Sequence, residues 1–244
     1  MISFLLLAAL TAPSALPAQT TLPVIFPHTV SAKDAQVGKS VEAKTTAPVR
    51  LASGEVIPKG AKVSGHVVEA TPFVWDSTPY AKQKAAVLAV QFDSVDDRGV
   101  AIPLHVALRA MADPLSSWDA DRPLPSDVDH SGTTTQVGGD QNTPWIKEVT
   151  SSDGDIVGYH HNGFVYAHLL GSGTCDASDT EQAMGIFSAS ACGLYGMPQE
   201  SVESKPSASG VTVVLHSTKR NVEIHANAQA LLEESAATLQ ADAR

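Results

Sequence analysis

Hydrophobic and polar residues alternate along several short stretches of this chain, which is the pattern of β-strands with one buried face. The clearest stretch runs from Val100 to Leu108, where an apolar residue occupies every second position. Leu88 to Phe92 alternates in the same way, and Asp96 to Gly99 between the two stretches is typical of a tight turn. The pattern predicts an antiparallel hairpin. Pro103 cannot donate a ladder hydrogen bond, so it is expected at a sheet edge or a bulge.

Upstream of this hairpin the chain predicts further strands. The segments Val41 to Leu51 and Val63 to Val67 flank Ile57-Pro58-Lys59-Gly60, a turn in which proline presets φ and glycine accepts a positive φ. Four or five short strands with turn residues between them indicate a mainly β protein, either a small β-barrel or a sandwich.

The end of the chain repeats the alternation. Val211 to Leu215 alternates, Val222 and Ile224 continue the pattern, and Ala228 to Leu232 predicts one last strand. The first part of the barrel is therefore assigned to residues 22–111 and its closing strands to residues 210–233. Residues 234–244 are expected to form an exposed helix or a tail.

Residues 112–209, between these two parts, are predicted to be a long, loop-rich insertion. Asp113 to Asn142 is crowded with Asp, Pro, Ser, Thr and Gly, and predicts a surface excursion. Ser151 to Asp155 predicts a turn before the strand-like segment Ile156 to Leu170. Asp179 to Ile186 is expected to form one or two helical turns.

Two segments of the first part resemble a known family. They are Gly54-Glu55-Val56-Ile57-Pro58-Lys59-Gly60-Ala61-Lys62-Val63-Ser64-Gly65-His66-Val67 and Asp97-Arg98-Gly99-Val100-Ala101-Ile102-Pro103-Leu104. Both are similar to the TrbI-like β-barrel domain, and Gly210 to Leu232 matches the strand pair that closes the barrel in that family. The resemblance covers about 115 residues and specifies a fold better than a task.

The TrbI-like family forms the core-complex scaffold of conjugative type IV secretion systems, so the resemblance implies a scaffold or interaction role in the cell envelope. The family's inner-membrane helix, proline-rich linker and membrane-crossing projection have no counterpart in this sequence. We therefore expect a free periplasmic, outer-membrane-associated or extracellular protein. Its partner is expected to be another envelope protein or a second copy of the chain.

The first residues predict export. Ile2 to Leu10 is a short apolar run, and Leu16-Pro17-Ala18 offers a cleavage point before Gln19, so residues 1–18 are interpreted as a signal peptide. The alternative is a buried N-terminal strand or helix. Apolar runs long enough to span a bilayer, about 20 residues, are not found later in the sequence.

The net charge of the chain limits the classes of partner that we expect. The formal net charge is −10, and Lys and Arg do not cluster, whereas nucleic-acid binders concentrate them on one face. Nucleic acid is therefore not an expected partner.

The two cysteines, Cys175 and Cys192, are predicted to form a disulfide, because oxidising compartments favour pairing. Two separate buried thiols or half of a metal site are the alternatives, although the spacing is far from that of zinc sites.

Candidate chemistry is sparse. His161 and His168, with Asp155, could hold a divalent metal, whereas the adjacent His160 would point to the opposite face of a strand. This arrangement would indicate a metal-dependent hydrolase, which is the least favoured hypothesis for the function. No catalytic residue, metal or cofactor is assigned.

Aromatic residues supply the candidate interaction surface, which comprises Trp118, Trp145 and Tyr195. Trp118 is expected to pin the long excursion onto the barrel, and Tyr195 lies between two glycines directly after Cys192. Aromatic side chains can also stack on sugars or peptides. A ligand- or carbohydrate-binding module is therefore the main alternative to an envelope scaffold.

Overall fold

The computed structural model describes residues 16–51, 54–79, 82–207 and 209–235. In chain order, the elements are β1 (Thr21–Ile25), β2 (Val30–Ser31), β3 (Ser40–Thr45), β4 (Val49–Arg50), β5 (Val56–Ile57), β6 (Lys62–Thr71), β7 (Ala86–Asp97), β8 (Val100–Pro103), β9 (Val106–Ala112), α1 (Pro114–Asp121), β10 (Thr134–Thr135), β11 (Gln141–Asn142), β12 (Glu148–Thr150), β13 (Ile156–His161), β14 (Phe164–His168), β15 (Glu181–Ala183), β16 (Gly193–Tyr195), β17 (Ser201–Ser207), β18 (Gly210–Ser217), β19 (Glu223–Ile224) and β20 (Gln229–Glu234). The predicted mainly β fold is confirmed.

A ten-stranded sheet forms the main body, with the strand order β16-β9-β20-β1-β3-β6-β7-β18-β17 and with β8 beside β7. The sheet curls until β9 and β17, near opposite ends of this order, meet. There the Leu108 N–H donates to the Ser204 hydroxyl at 3.0 Å rather than to a backbone carbonyl. The body is therefore a nearly closed barrel, one of the two arrangements, barrel or sandwich, that the alternation predicted. We call the line where β9 faces β17 the seam.

Alternating side chains fill the barrel interior. Leu88 and Val90 of β7, Val63 of β6 and Val213 and Leu215 of β18 are all buried in one apolar core. Full burial of such a side chain contributes about 1.5–3 kcal/mol. The period-two pattern decides which face of each strand turns inward.

Two predicted turns are present. Gly60 has a φ of +85°, and its N–H donates to the carbonyl of Thr45 at 2.8 Å. Between β7 and β8, Arg98 and Gly99 have φ values of 54° and 91°, as a two-residue hairpin turn requires.

The prediction of one continuous strand from Val100 to Leu108 is wrong. β8 pairs with β7, with Pro103 opposite Ser94, and the Leu104 N–H then donates to the carbonyl of Asp93 at 3.0 Å. Leu104 and His105 therefore separate two strands. After them, the chain leaves β7, and β9 pairs with β20. Proline at the end of β8 cannot extend the ladder, which fits this break.

The predicted insertion contains a second sheet, with the order β10-β11-β12-β13-β14-β15. We call this part the lobe. The segment Asp113 to Asn142, predicted as an irregular excursion, includes α1 in addition to β10 and β11. Asp113 caps α1 by accepting from the Ser116 N–H at 2.8 Å, and proline occupies the first turn. The helical turns predicted over Asp179 to Ile186 are wrong, because this segment contains β15.

Two predicted boundaries fall inside structural elements. β17 lies within residues 112–209, yet it pairs along its whole length with β18 in the barrel sheet. Glu234, the first residue of the predicted tail, still belongs to β20. Residues 236–244 lie outside the described part of the chain. Residues 1–15 of the predicted signal peptide also lie outside it, whereas Leu16 is buried in the barrel core.

In the described residues, helices of the length and apolarity needed to cross a membrane are not found.

Candidate functional site

A β-bulge at Arg109 joins the barrel to the lobe. Leu108 pairs with Leu232 and Ala110 pairs with Leu231, so Arg109 is an extra residue in β9. The extra residue reverses which side chains face inward. Leu108 and Met111 therefore belong to the barrel core, whereas Ala110 belongs to the core of the lobe.

The side chain of Arg109 is directed into the lobe and is fully buried. Its guanidinium donates to the carbonyl of Leu170 at 2.7 Å, to that of Ala189 at 3.3 Å and to that of Asp176. It also forms an ion pair with Glu233 of β20, with 3.0 Å between Nη1 and Oε2. One side chain thus holds three loop segments of the lobe against the barrel.

The predicted disulfide is present. Cys175 and Cys192 are bonded, and their Cα atoms are 5.9 Å apart. Cys192 directly precedes β16, which pairs in parallel with Ala110–Ala112 of β9. The bond therefore fixes the loop around Cys175 beside the barrel wall.

A cleft of about 430 Å³ lies on the outer side of the seam. The floor includes Ala107 and Leu108 of β9, one wall includes Glu203 of β17, and the other includes Cys175 and Asp176 of the disulfide loop. We call this cleft the seam groove. Its volume falls within the range of ligand sites, roughly 300–1,000 Å³.

Carboxylates dominate the charge of the seam groove. Asp176, Glu203, Glu233, Glu234 and Arg109 are the charged residues that border it. The side chains of Arg109 and Glu234 are buried, so the exposed charged residues of this lining are Asp176 and Glu203. Burial raises the pKa of Glu233 despite the ion pair with Arg109.

Glu234 is also buried, and both of its carboxylate oxygens accept from the His105 N–H at 3.2 Å. Burial raises the pKa of Glu234. Additional negative charge would be unfavourable in the seam groove, so its electrostatics favour a cationic group.

The three aromatic residues of the predicted interaction surface lie on separate elements. Trp118 is on α1, is 54% exposed, and stacks with the Arg122 guanidinium 5.0 Å above its ring. The Trp118 side chain is therefore mainly in contact with solvent rather than with the barrel. Trp145 lies in the turn before β12, and Tyr195 ends β16.

Trp145 and Tyr195 have different environments. Trp145 is 81% exposed, yet its indole N–H donates to the carbonyl of Ser131 at 2.7 Å, which fixes the ring. The hydroxyl of Tyr195 accepts from the Cys192 N–H at 3.1 Å, so this side chain supports the disulfide. Tyr195 also borders a second, open cleft of about 720 Å³ beside α1.

The histidines considered as metal ligands are not brought together. His161 lies next to the turn of the β13–β14 hairpin, opposite Phe164, whereas His168 ends β14. His161 Nε2 lies 3.3 Å from a carboxylate oxygen of Glu181. Across the described ranges, groups of three or more His, Cys, Asp or Glu side chains placed to hold a metal are not found.

Sequence reasoning missed Arg109, Glu233 and Glu234. Arg109 stood on the mixed face of a predicted strand, and the two glutamates were assigned to the barrel end and the tail. One signal was available, since an arginine between Leu108 and Ala110 interrupts an otherwise apolar run. Charged residues are seldom buried unless they are paired.

Comparisons with protein-family models, with curated proteins and with solved structures give no match to this chain. The TrbI-like resemblance therefore remains a prediction.

Proposed function

We propose that this chain is an exported, non-catalytic interaction protein of the bacterial envelope, in which a TrbI-like barrel carries a disulfide-linked lobe. The nearly closed barrel and the disulfide support this proposal, since structural disulfides persist mainly in oxidising compartments. The partner is another envelope protein or a second copy of the chain.

The seam groove is the observation that carries the proposal. It is a concave site at the boundary between barrel and lobe, and it lies next to strand edges that the ladder leaves unpaired. The terminal nitrogens of Arg109 beside it already donate to three carbonyls and to Glu233. Such a site is suited to holding another molecule rather than to transforming it.

Site-specific photo-crosslinking in a bacterial host tests this function. A photoreactive residue at Glu203, in the wall of the seam groove, is expected to crosslink the full-length chain to one envelope protein or to a second copy. The same residue at Lys44 of β3, in the middle of the strand order and far from the seam, serves as the control. Equal crosslinking at both positions, or recovery of the oxidised chain only from the cytoplasm, would contradict the proposal.

A ligand- or carbohydrate-binding module is the second candidate, and Trp145 favours it. An aromatic ring that is exposed but held by a hydrogen bond loses little conformational entropy when a sugar stacks on it. Titration of envelope oligosaccharides should then quench tryptophan fluorescence in the wild type but not in Trp145→Ala. Trp75→Ala, which removes another exposed tryptophan, is the matched control. Equal quenching in both variants would exclude Trp145 as the platform.

A further inference from the structure

A turn just before β1 is bound to the end of β20. The Gln19 N–H donates to the carbonyl of Glu234 at 2.9 Å, and the Glu234 N–H donates to the carbonyl of Thr20 at 2.9 Å. The Thr20 N–H also donates to the carbonyl of Pro17 at 3.1 Å, which closes the turn. Residues 17–20 are therefore fixed to the barrel by backbone hydrogen bonds.

This turn brings Leu16 into the barrel. The Leu16 side chain is only 3% exposed, and it belongs to the same apolar core as Leu22 and Leu232. Burial of a leucine to this extent is a favourable contribution to folding. Leu16 is thus a core residue of the barrel.

Gln19 connects the same turn to the lobe. Its side-chain Nε2 donates to the carbonyl of Ala177, close to Cys175 of the disulfide, at 2.9 Å. Gln19 has a φ of 63°, in the left-handed region that a non-glycine residue adopts only when its surroundings hold it there. Loss of Pro17 would remove one of the hydrogen bonds that hold this turn.

The position at which a signal peptide is removed decides whether the mature chain keeps these residues. Cleavage before Gln19, as Leu16-Pro17-Ala18 predicts, would delete Leu16 from the core and the Pro17 carbonyl from the turn. It would also place leucine at the third position before the cut bond, where signal peptidases favour a small residue. The fold and the peptidase preference therefore disfavour this bond for independent reasons.

A better cleavage sequence lies directly upstream. Between residues 8 and 18, Ala12 and Ser14 are the only two residues of the small types Ala, Ser and Gly that lie two positions apart. They form an A-x-S sequence soon after the apolar run Ile2 to Leu10, which matches the A-x-A-like pattern of signal-peptide cleavage. A cut after Ser14 leaves Leu16 and the whole turn on the mature chain.

We propose that a signal peptidase cleaves the bond between Ser14 and Ala15, so that the mature chain begins at Ala15 and keeps Leu16 in the barrel core. Water adds across this peptide bond and leaves a carboxylate on Ser14 and an ammonium group on Ala15. This inference rests on the export that the proposed function includes, and it deepens that function by giving the processing site.

Expression of the full-length chain in a bacterial host tests the cleavage position. Intact mass and N-terminal sequencing of the periplasmic protein are expected to show a chain that begins at Ala15. Ser14→Leu removes the small residue before the cut and should raise the unprocessed fraction after a short labelling pulse by roughly tenfold. Ala18→Leu is the matched control and should leave this fraction unchanged.

A stability measurement tests whether the barrel requires Leu16. Leu16→Ala in the mature chain should lower the melting temperature by about 5 °C or more, because a buried side chain is lost. Leu115→Ala, which truncates a 67% exposed leucine of α1, is the matched control and should change it by less than about 2 °C. A chain that begins at Gln19 should melt at least as low as Leu16→Ala.

Two results would overturn this inference and leave the interaction function intact. They are an exported chain that begins at Gln19 or keeps Met1, and a chain beginning at Gln19 that melts at the wild-type temperature. Selective crosslinking at Glu203 alongside either result would refute the processing site alone. Recovery of the unprocessed chain only from the cytoplasm would refute both the processing site and the export.

Discussion

The guanidinium of Arg109 and the carboxylate of Glu233 face each other 3.0 Å apart at the base of the lobe, on neighbouring strands of the barrel. The arginine side chain is completely buried, and the carboxylate is nearly so. The same arginine donates to three carbonyls of the lobe, so the pair lies at the centre of a buried polar network. Such networks stabilise a structure only when every partner stays in place.

Replacing Arg109 with alanine should therefore destabilise the protein strongly. The change leaves Glu233 and three carbonyls buried without their donor, and breaking a buried ion pair costs about 3–5 kcal/mol. Urea unfolding followed by circular dichroism measures the loss. Arg122→Ala, which removes an arginine with a 68% exposed side chain, should change the free energy of unfolding by less than ~0.5 kcal/mol. Similar losses in both variants would contradict the assigned role of Arg109.

Reduction of the disulfide should lower the free energy of unfolding by about 3 kcal/mol, because the bond joins two residues with a sequence separation of 17 in the unfolded chain. Urea unfolding of the wild type with and without a reductant measures the effect. A double variant, Cys175→Ser with Cys192→Ser, should be insensitive to the reductant. Unchanged wild-type stability after complete reduction would show that the bond does not constrain the unfolded chain.

Asp140 should make the protein less stable as the pH rises. Burial raises the pKa of this carboxyl above its ordinary value of 3.8, although the Ala189 N–H donates to it at 2.6 Å. The folded state therefore binds the proton more tightly than the unfolded state does. The contribution of Asp140 to the free energy of unfolding is fully present below the ordinary pKa and is lost as the pH rises through the raised pKa.

Comparison of variants isolates this contribution from the other buried carboxyls. Asp140→Asn should flatten the fall of the unfolding free energy as the pH rises above the ordinary pKa of 3.8, whereas Asp153→Asn in an exposed turn should leave the wild-type slope. Parallel curves for the wild type and Asp140→Asn would contradict the raised pKa.

Gly65 should not tolerate a side chain. It lies at an irregularity in the pairing of β6 with β7, and a Cβ atom there would meet the Gln91 backbone carbonyl oxygen. Gly65→Ala should cost ~1–3 kcal/mol, as overpacked sites do. In Gly171→Ala the nearest atom to the new Cβ would lie 3.8 Å away, so thermal unfolding should show little change. A stable Gly65→Ala variant would contradict this tight contact.

The sequence was informative wherever structure is local. Alternation identified β18 and the barrel interior, and turn residues identified the bends at Gly60 and Gly99. Long-range pairing was not accessible, because nothing in Gly193–Tyr195 indicates that these residues pair in parallel with Ala110–Ala112. The bulge at Arg109 also reverses the periodicity within one strand.

The candidate site was harder to predict than the fold. The cysteine pair was predicted from the even cysteine count and the expected export of the chain. The seam groove, by contrast, depends on how far a curved sheet closes, and that is a property of all its strands together. The three aromatic residues were chosen by type, and the fold distributes them over separate elements. In the sequence, Glu233 and Glu234 resemble solvated surface residues at the end of a strand. Their burial becomes evident only from the long-range pairing of β20 with β9.

The bulged strand β9 makes the two parts of the molecule interdependent. Leu108 and Met111 belong to the core of the barrel, and Ala110 and Ala112 belong to the core of the lobe. Unfolding of this strand would therefore disrupt both cores. Heating should then produce one melting transition rather than two. A single-residue deletion at position 109 would exchange the side chains between the two interiors, and transplanting the lobe onto a foreign scaffold would require β9 to accompany it.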